Sequence, residues 1–500
     1  MYGRLLNSVS RRALIGIAGA AIIGTPAYAA DLGGNCCADL EERVAELEAT
    51  TARKGNRKVS LQVWGRVSEA IVWWNDGAEK NTYVGENTSD GNRLGFRGSA
   101  KINSDWSAGY AFEVQVRAYR LSTTNQLALG ASNNVQIATY NTQSIALREA
   151  NWYLRSETYG TITVGRAPDA TVGASTVNLG NPSGFNGPAT PNGWNGMFLR
   201  RAGTVGNQGL SNLTWGGFAN IRNGDGPYGV DTSNNSSQIK YTSPFFLGQS
   251  KTSGFRFDAT WGMDDVWGVG LRYGEQFGQF RFAAAGGYLV RDLGSNGCST
   301  GASGNNATAG ANAVLASTDP LRDLGSTTKC DAVTFSASIM HVPTGLYLSG
   351  GKGAYTDHMA NQAALARSSG NQGGTNGEHS ATWVQAGWQA KLNSLGNTTF
   401  WGQYVEFDHG VGVQNTFVQS VASTDVLNSL GATAIIRSSQ SRIWGGGITQ
   451  DITAAAMRLH FGYQTQSTSG VLGSTTSTAR ASTRPIDDIQ IFYSGATISF

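Results

Sequence analysis

The chain has 500 residues and a formal net charge of +3, with 14% charged and 40% hydrophobic residues, 67 Gly and only 10 Pro. Many glycines and aromatics with few charges suit repeated β-strands better than a helical enzyme, and scattered basic residues leave no stripe for a nucleic acid. The one long apolar run is residues 13–30, and nothing after it is long enough to cross a bilayer as a helix.

That run has the layout of a signal peptide, residues 1–29. Arg4, Arg11 and Arg12 form the positive region, Ala13 to Gly24 the apolar region, and Ala27-Tyr28-Ala29 the small-x-small cleavage site. Ser10 to Leu14 also resembles a twin-arginine signal, which exports folded proteins, but two adjacent arginines are common in ordinary signals. Export permits disulfides. Cys298 and Cys330 flank a segment without a strand pattern, so a bridge tying one long loop is the natural pairing. Cys36 and Cys37 are adjacent, which strains a bridge between them and leaves pairing between chains open. The five histidines are scattered, none at ligand spacing from a cysteine, so neither metal nor cofactor is expected.

Residues 30–57 form an N-terminal segment. Within it Asp39 to Arg53 reads as a short helix: Leu40, Val44, Leu47 and Thr51 are spaced 4, 3 and 4, a two-heptad seam, with Glu and Arg on the other faces. A helix this short is marginal alone. It is either a solvated linker or a periplasmic coiled coil between subunits.

From residue 58 to 500, alternating stretches separated by turn residues predict sixteen strands: 58–74, 92–103, 106–119, 145–156, 160–166, 236–243, 254–262, 266–276, 279–291, 332–342, 345–355, 380–393, 398–407, 441–451, 455–466 and 486–500. Sixteen is an even number, as a closed antiparallel barrel requires. All seven even-numbered links are ten residues or fewer, and the odd-numbered links are long except Met263-Asp264-Asp265. Such alternation fits a transmembrane barrel with short periplasmic turns and long surface loops; a sandwich or propeller has no reason to show it.

The strand faces agree. In the second strand Leu94, Phe96 and Ala100 alternate with Arg93, Arg97 and Lys101; in the third Tyr110, Phe112 and Val114 alternate with Glu113, Gln115 and Arg117. Arg or Lys toward lipid costs ~2–4 kcal/mol at the bilayer midplane, so the arginines belong on a wet inner face. Trp73-Trp74, Trp152-Tyr153 and Phe245-Phe246 sit near strand ends, where interface girdles lie. The last stretch, Gln490 to Phe500, alternates to its final aromatic residue.

Four local pieces, in order, carry a resemblance: Gly55 to Val67 (GNRKVSLQVWGRV), Asn92 to Gly98 (NRLGFRG), Tyr159 to Arg166 (YGTITVGR) and Gly495 to Phe500 (GATISF). With them the chain resembles the general bacterial porins, most closely their alphaproteobacterial, rhizobial-type branch. The resemblance implies a third surface loop folded into the barrel, opposite a ladder of basic wall residues. The matching positions are Arg66, Arg93 and Arg166, with Arg97 two lumen positions beyond Arg93. Strand parity supports Arg66, Arg93 and Arg97; it supports Arg166 only if Gly165 makes a bulge. The family's basic residue leading into the sixth strand is missing, with Asn234-Asn235 in its place; Arg200 and Arg201 are the first candidates to replace it and Lys240 a weaker one. The loop offers one acid, Asp169, before Leu199; Asp225 and Asp231 come later, and Glu113 and Glu149 are candidate wall acids.

The expected function is passive diffusion of small hydrophilic solutes and ions through a water-filled channel in the Gram-negative outer membrane, with anions preferred. The alternatives are a substrate-specific channel for sugars or anionic solutes, hinted at by Trp194 and Phe198, and a structural barrel joined to peptidoglycan, because Ala30-Asp31 resembles the mature end of rhizobial-type anchored barrels. An enzyme is not expected: His379-Ser380 and Ser338 near His341 lack a motif that holds nucleophile and base together. The expected partners are outer-membrane lipid and lipopolysaccharide and two further copies in a homotrimer. Its subunit contact is placed at the small-residue run Phe282 to Gly287.

Overall fold

The computed structural model describes residues 59–87, 91–116, 145–180, 235–262, 266–292, 329–357, 378–409, 433–474, 480–482 and 486–500, with residues 121, 124–126, 194, 196–200, 202–203, 205, 210–215 and 416–418. The signal peptide, the helix at 39–53, Ala30-Asp31, Cys36, Cys37, the link at 263–265, Arg201, Asp225, Asp231 and Cys298 lie outside them, as does the side chain of Cys330.

Sixteen strands among the described residues close a single antiparallel ring. They are β1 (Gln62–Asn75), β2 (Arg93–Lys101), β3 (Trp106–Val116), β4 (Ile145–Ser156), β5 (Gly160–Pro168), β6 (Asn235–Thr242), β7 (Gly254–Gly262), β8 (Trp267–Phe277), β9 (Phe280–Asp292), β10 (Lys329–His341), β11 (Leu346–Asp357), β12 (Glu378–Asn393), β13 (Gly396–His409), β14 (Thr433–Ile452), β15 (Met457–Ser474) and β16 (Ile489–Ser499). Each pairs with the next, and β16 pairs back on β1 over ten rungs from Arg66↔Ser499 to Asn75↔Gln490. Closure leaves no open edge, which membrane-spanning sheet requires. The terminal aromatic takes part, since Phe500 N and O both bond to Gly65 across the seam.

Alternation sorts the residues. Val63, Val67 and Ile71 of β1, Phe335 of β10, Leu348 of β11 and Trp444 of β14 stand exposed on the outer face. Their neighbours in sequence, among them Ser68, Ser336, Ser349 and Ile443, are buried inside. This period also corrects the girdle expectation for two of the doublets, because adjacent aromatics point to opposite faces. Trp73 is outside against Phe492, ring centres 5.3 Å apart, while Trp74 is buried. Trp152 is 54% exposed, while Tyr153 lies inward against Gly109.

Two features depart from a plain ring. The loop-side half of β1 leaves β2 after Arg66↔Arg93 and pairs with a short extra strand, Lys80–Glu86. β14 and β15 run 20 and 18 residues, well past the predicted ends, and pair along that length.

Candidate functional site: the lumen and its inserted loop

The long link after β5 turns inward rather than outward. From Asp169 to Gly180 it lies along the inner wall of β8 to β12, held largely through its backbone. Val177 N and Leu179 N donate to Ser336 Oγ and Ser338 Oγ at 2.9 and 3.0 Å. Ser336 Oγ donates to Ala174 O at 2.7 Å, Trp383 Nε1 to Ser175 O at 2.9 Å, and Asn178 Nδ2 to Gln385 Oε1 at 2.5 Å. Small wall residues make the room. A Cβ on Gly270 would sit 2.2 Å from Ala170 O, and one on Gly287 2.9 Å from Thr171.

The start of the loop is gripped by charge. Asp258 on β7 is fully buried among Lys240 (3.8 Å), Arg256 (3.6 Å) and Arg272. It also accepts from Thr242 Oγ1 at 2.6 Å. Three cations around one carboxylate leave surplus positive charge in a desolvated place, which is costly unless other acceptors meet it. The loop supplies them. Lys240 Nζ donates to Pro168 O and Asp169 O, both at 3.3 Å, and Arg272 Nη2 to Ala170 O at 3.0 Å and Val172 O at 2.5 Å. Lys240, the weaker sequence candidate, thus holds the start of the loop by its backbone carbonyls.

The returning part of the loop builds an apolar core inside the barrel. Trp194, Met197, Leu199 and Trp215 pack with Val72 and Trp74 of β1 and Ile491 and Tyr493 of β16. Each buried side chain of this size contributes about 1.5–3 kcal/mol. Arg200, expected at the constriction, belongs to this core. It is 1% exposed, with Nε 2.8 Å from Asp76 Oδ2 and Nη2 2.9 Å from Glu79 Oε2. The correction has a plain cause: a loop strand, Phe198–Arg200 paired with Leu210–Thr214, must pair its cation once it is packed away from water. Asp169 is also held within the loop rather than exposed to the wall. It is buried and accepts from Thr171 N and Oγ1 at 2.8 and 2.6 Å.

Across the ring, β1 to β4 carry the charged wall. Arg66 and Arg93 face each other in register, as do Gln62 and Arg97. Arg66 Nε donates to Gly91 O at 3.1 Å and Arg97 Nε to Gln62 Oε1 at 2.9 Å. Arg93 Nη1 lies 3.3 Å from Glu113 Oε1. A residue that alternation assigns to lipid joins them: Arg148 Nε lies 2.8 Å from the same Glu113 oxygen. The signal for it is absent from local sequence, because a register shift between Glu113 and Val114 turns Arg148 inward. Arg166 pairs with Ala150 and Ser237 without a register shift. The bulge at Gly165 that an inward Arg166 would need is absent; the pairing runs unbroken through Gly165, whose backbone is left-handed, φ 119°.

Of the residues expected to line the passage, Arg66 lies opposite Arg93 on the inner wall with Arg97 further along it, Arg166 lies opposite Ala150, and Arg200 and Asp169 are buried in other contacts; Arg148 stands beside the candidate wall acid Glu113. Among the described residues 169–180, the loop offers the wall no exposed carboxylate.

No protein-family description and no curated protein sequence matches the chain. Solved structures of similar architecture include an anion-selective porin from Comamonas acidovorans, 13% identical, TM-score 0.45, over 88% of this chain and 100% of that one. OmpF from Salmonella typhi, in a complex with daunomycin, is 16% identical with TM-score 0.44, over 89% and 98%. OmpT, an outer membrane protein of Vibrio cholerae, is 12% identical with TM-score 0.46, over 89% and 99%.

Proposed function

We propose that the chain is an outer-membrane porin: a water-filled channel for passive diffusion of small hydrophilic solutes, with anions preferred. One observation carries the reading. A closed sixteen-stranded ring with an apolar outside holds a loop folded within it, opposite a wall bearing Arg66, Arg93, Arg97 and Arg148. Fixed positive charge in a confined aqueous passage concentrates anions and repels cations. The sequence resemblance to rhizobial-type porins supports the same function, with export through a cleaved signal peptide. Planar-bilayer recording tests it: stepwise ohmic conductance with a reversal potential on the anion side in dilute KCl is expected, and a protein that inserts but never conducts would refute it.

The working unit in this reading is a homotrimer. The run Phe282 to Gly287 is a poor place for its contact, because Ala283 and Ala285 face inward and are buried in the internal core. A better place is the outer face of β16, β1 and β2. There Glu69 stands exposed in the outward row between Val67 and Ile71, accepting from Asn92 Nδ2 at 2.9 Å. A carboxylate facing lipid is costly, and a second subunit covering it relieves that cost. Sedimentation of native detergent-solubilised protein should give a trimer, and Glu69→Leu should not; a monomer at every concentration counts against the assembly.

A further inference from the structure

Arg148 reaches the lumen by one extra residue in its strand. Downstream of it, Ala150 pairs with Phe112, and Trp152 with Tyr110, in the outward row. Upstream, Leu147 and Ile145 are exposed in the same row. Unbroken alternation would put Arg148 outward beside Trp152 and turn Leu147 into the lumen. The pairing instead steps from Glu113↔Glu149 to Val114↔Leu147 and leaves Arg148 unmatched on β3. That is a β-bulge, which re-aims one side chain while keeping the rows on either side in phase. The side chain of Arg148 is 14% exposed, and its Nε is closer to Glu113 Oε1 (2.8 Å) than is Nη1 of Arg93 (3.3 Å).

We propose that Arg148 is a specificity-determining residue of the channel, and that it acts by neutralising Glu113. The proposal rests on the reading of this chain as a conducting pore. Without Arg148, Glu113 would face Arg93 at 3.3 Å, one cation to one carboxylate. With it, two cations meet the one carboxylate and leave a positive charge over. The bulge is thus the means by which a strand sequence that reads as lipid-facing supplies charge to the passage.

The test is a charge ladder measured as permeability ratio from reversal potentials across a KCl gradient in dilute salt. Glu113→Gln should raise the anion-to-cation ratio, Arg148→Gln should lower it, and the double variant should return to the wild-type value. One unit charge acting through about 4–8 Å of water corresponds to steps of roughly two- to fivefold. Arg148→Lys keeps the charge and should match wild type, so the ladder remains readable through it and Glu113→Gln should Arg148→Gln fail to insert. An Arg148→Gln channel indistinguishable from wild type, or a double variant outside the interval between the singles, overturns the proposal. A cation-selective wild type whose variants keep this order sinks the anion reading alone; a wild type with no conductance overturns both.

Discussion

Arg272 on the barrel wall donates to the carbonyl oxygen of Ala170 at 3.0 Å, joining residues 102 apart in sequence. The wall therefore holds the loop by its backbone, and the side chain that does so is itself fixed by Asp258. Arg272→Ala should loosen the loop and give larger, noisier single-channel steps. Removing one partner of a buried ion pair costs about 3–5 kcal/mol, with Lys240 and Arg256 left beside Asp258 to reduce the loss. The denaturation midpoint should fall accordingly. Unchanged current amplitude would show that the loop is held by its other contacts.

Gly270 faces the same carbonyl. Its Cβ position lies 2.2 Å from Ala170 O, a backbone atom that cannot swing aside. Gly270→Val should push the loop off β8 and destabilise the barrel by about 1–3 kcal/mol, the usual cost of overpacking. Gly402, where a Cβ would meet only Gly445 O at 3.8 Å, is the control and should tolerate alanine. Urea midpoints of the two variants side by side decide the matter.

Removing wall charge should move selectivity without unfolding the protein. Arg93→Ala should shift the reversal potential toward cations, and Arg166→Ala should leave it unchanged, because Arg166 pairs with Ala150 in the outward row. The shift should be clearest in dilute salt, because the Debye length falls from ~10 Å at 0.1 M to ~3 Å at 1 M. A shift from Arg166→Ala alone would put its guanidinium in the passage, against that pairing.

Asp105 clamps the turn between β2 and β3 to the end of β4. Ser156 Oγ donates to it at 2.7 Å, and Thr158 N and Oγ1 at 3.0 Å each. The Ser156 bond, with the Thr158 and Glu157 contacts, holds its carboxyl below the usual carboxylate range despite partial desolvation. A depressed folded value means the clamp stabilises fully above the unfolded pKa of ~3.9 and is lost as pH falls through the lower folded one. Asp105→Ala should therefore lower the unfolding temperature in detergent at neutral pH, and the gap to wild type should close in strong acid. A gap that persists below both values would mean the loss is one of packing.

By itself the sequence determined the barrel. Strand number, the short and long links, and the sorting of Phe96 from Arg97 follow from a period of two and from the cost of charge in lipid, which act residue by residue. It also placed Arg66, Arg93 and Arg97 on the inner wall for the same reason. Tertiary structure decided the rest, because the deciding contacts join residues far apart. Lys240 became an anchor only because Pro168 and Asp169 present their carbonyls to it. Arg200 left the passage only because Asp76 and Glu79 meet it in an internal core. Arg148 turned inward only because β3 and β4 pair one residue out of step, and a bulge is a property of two strands that neither carries alone.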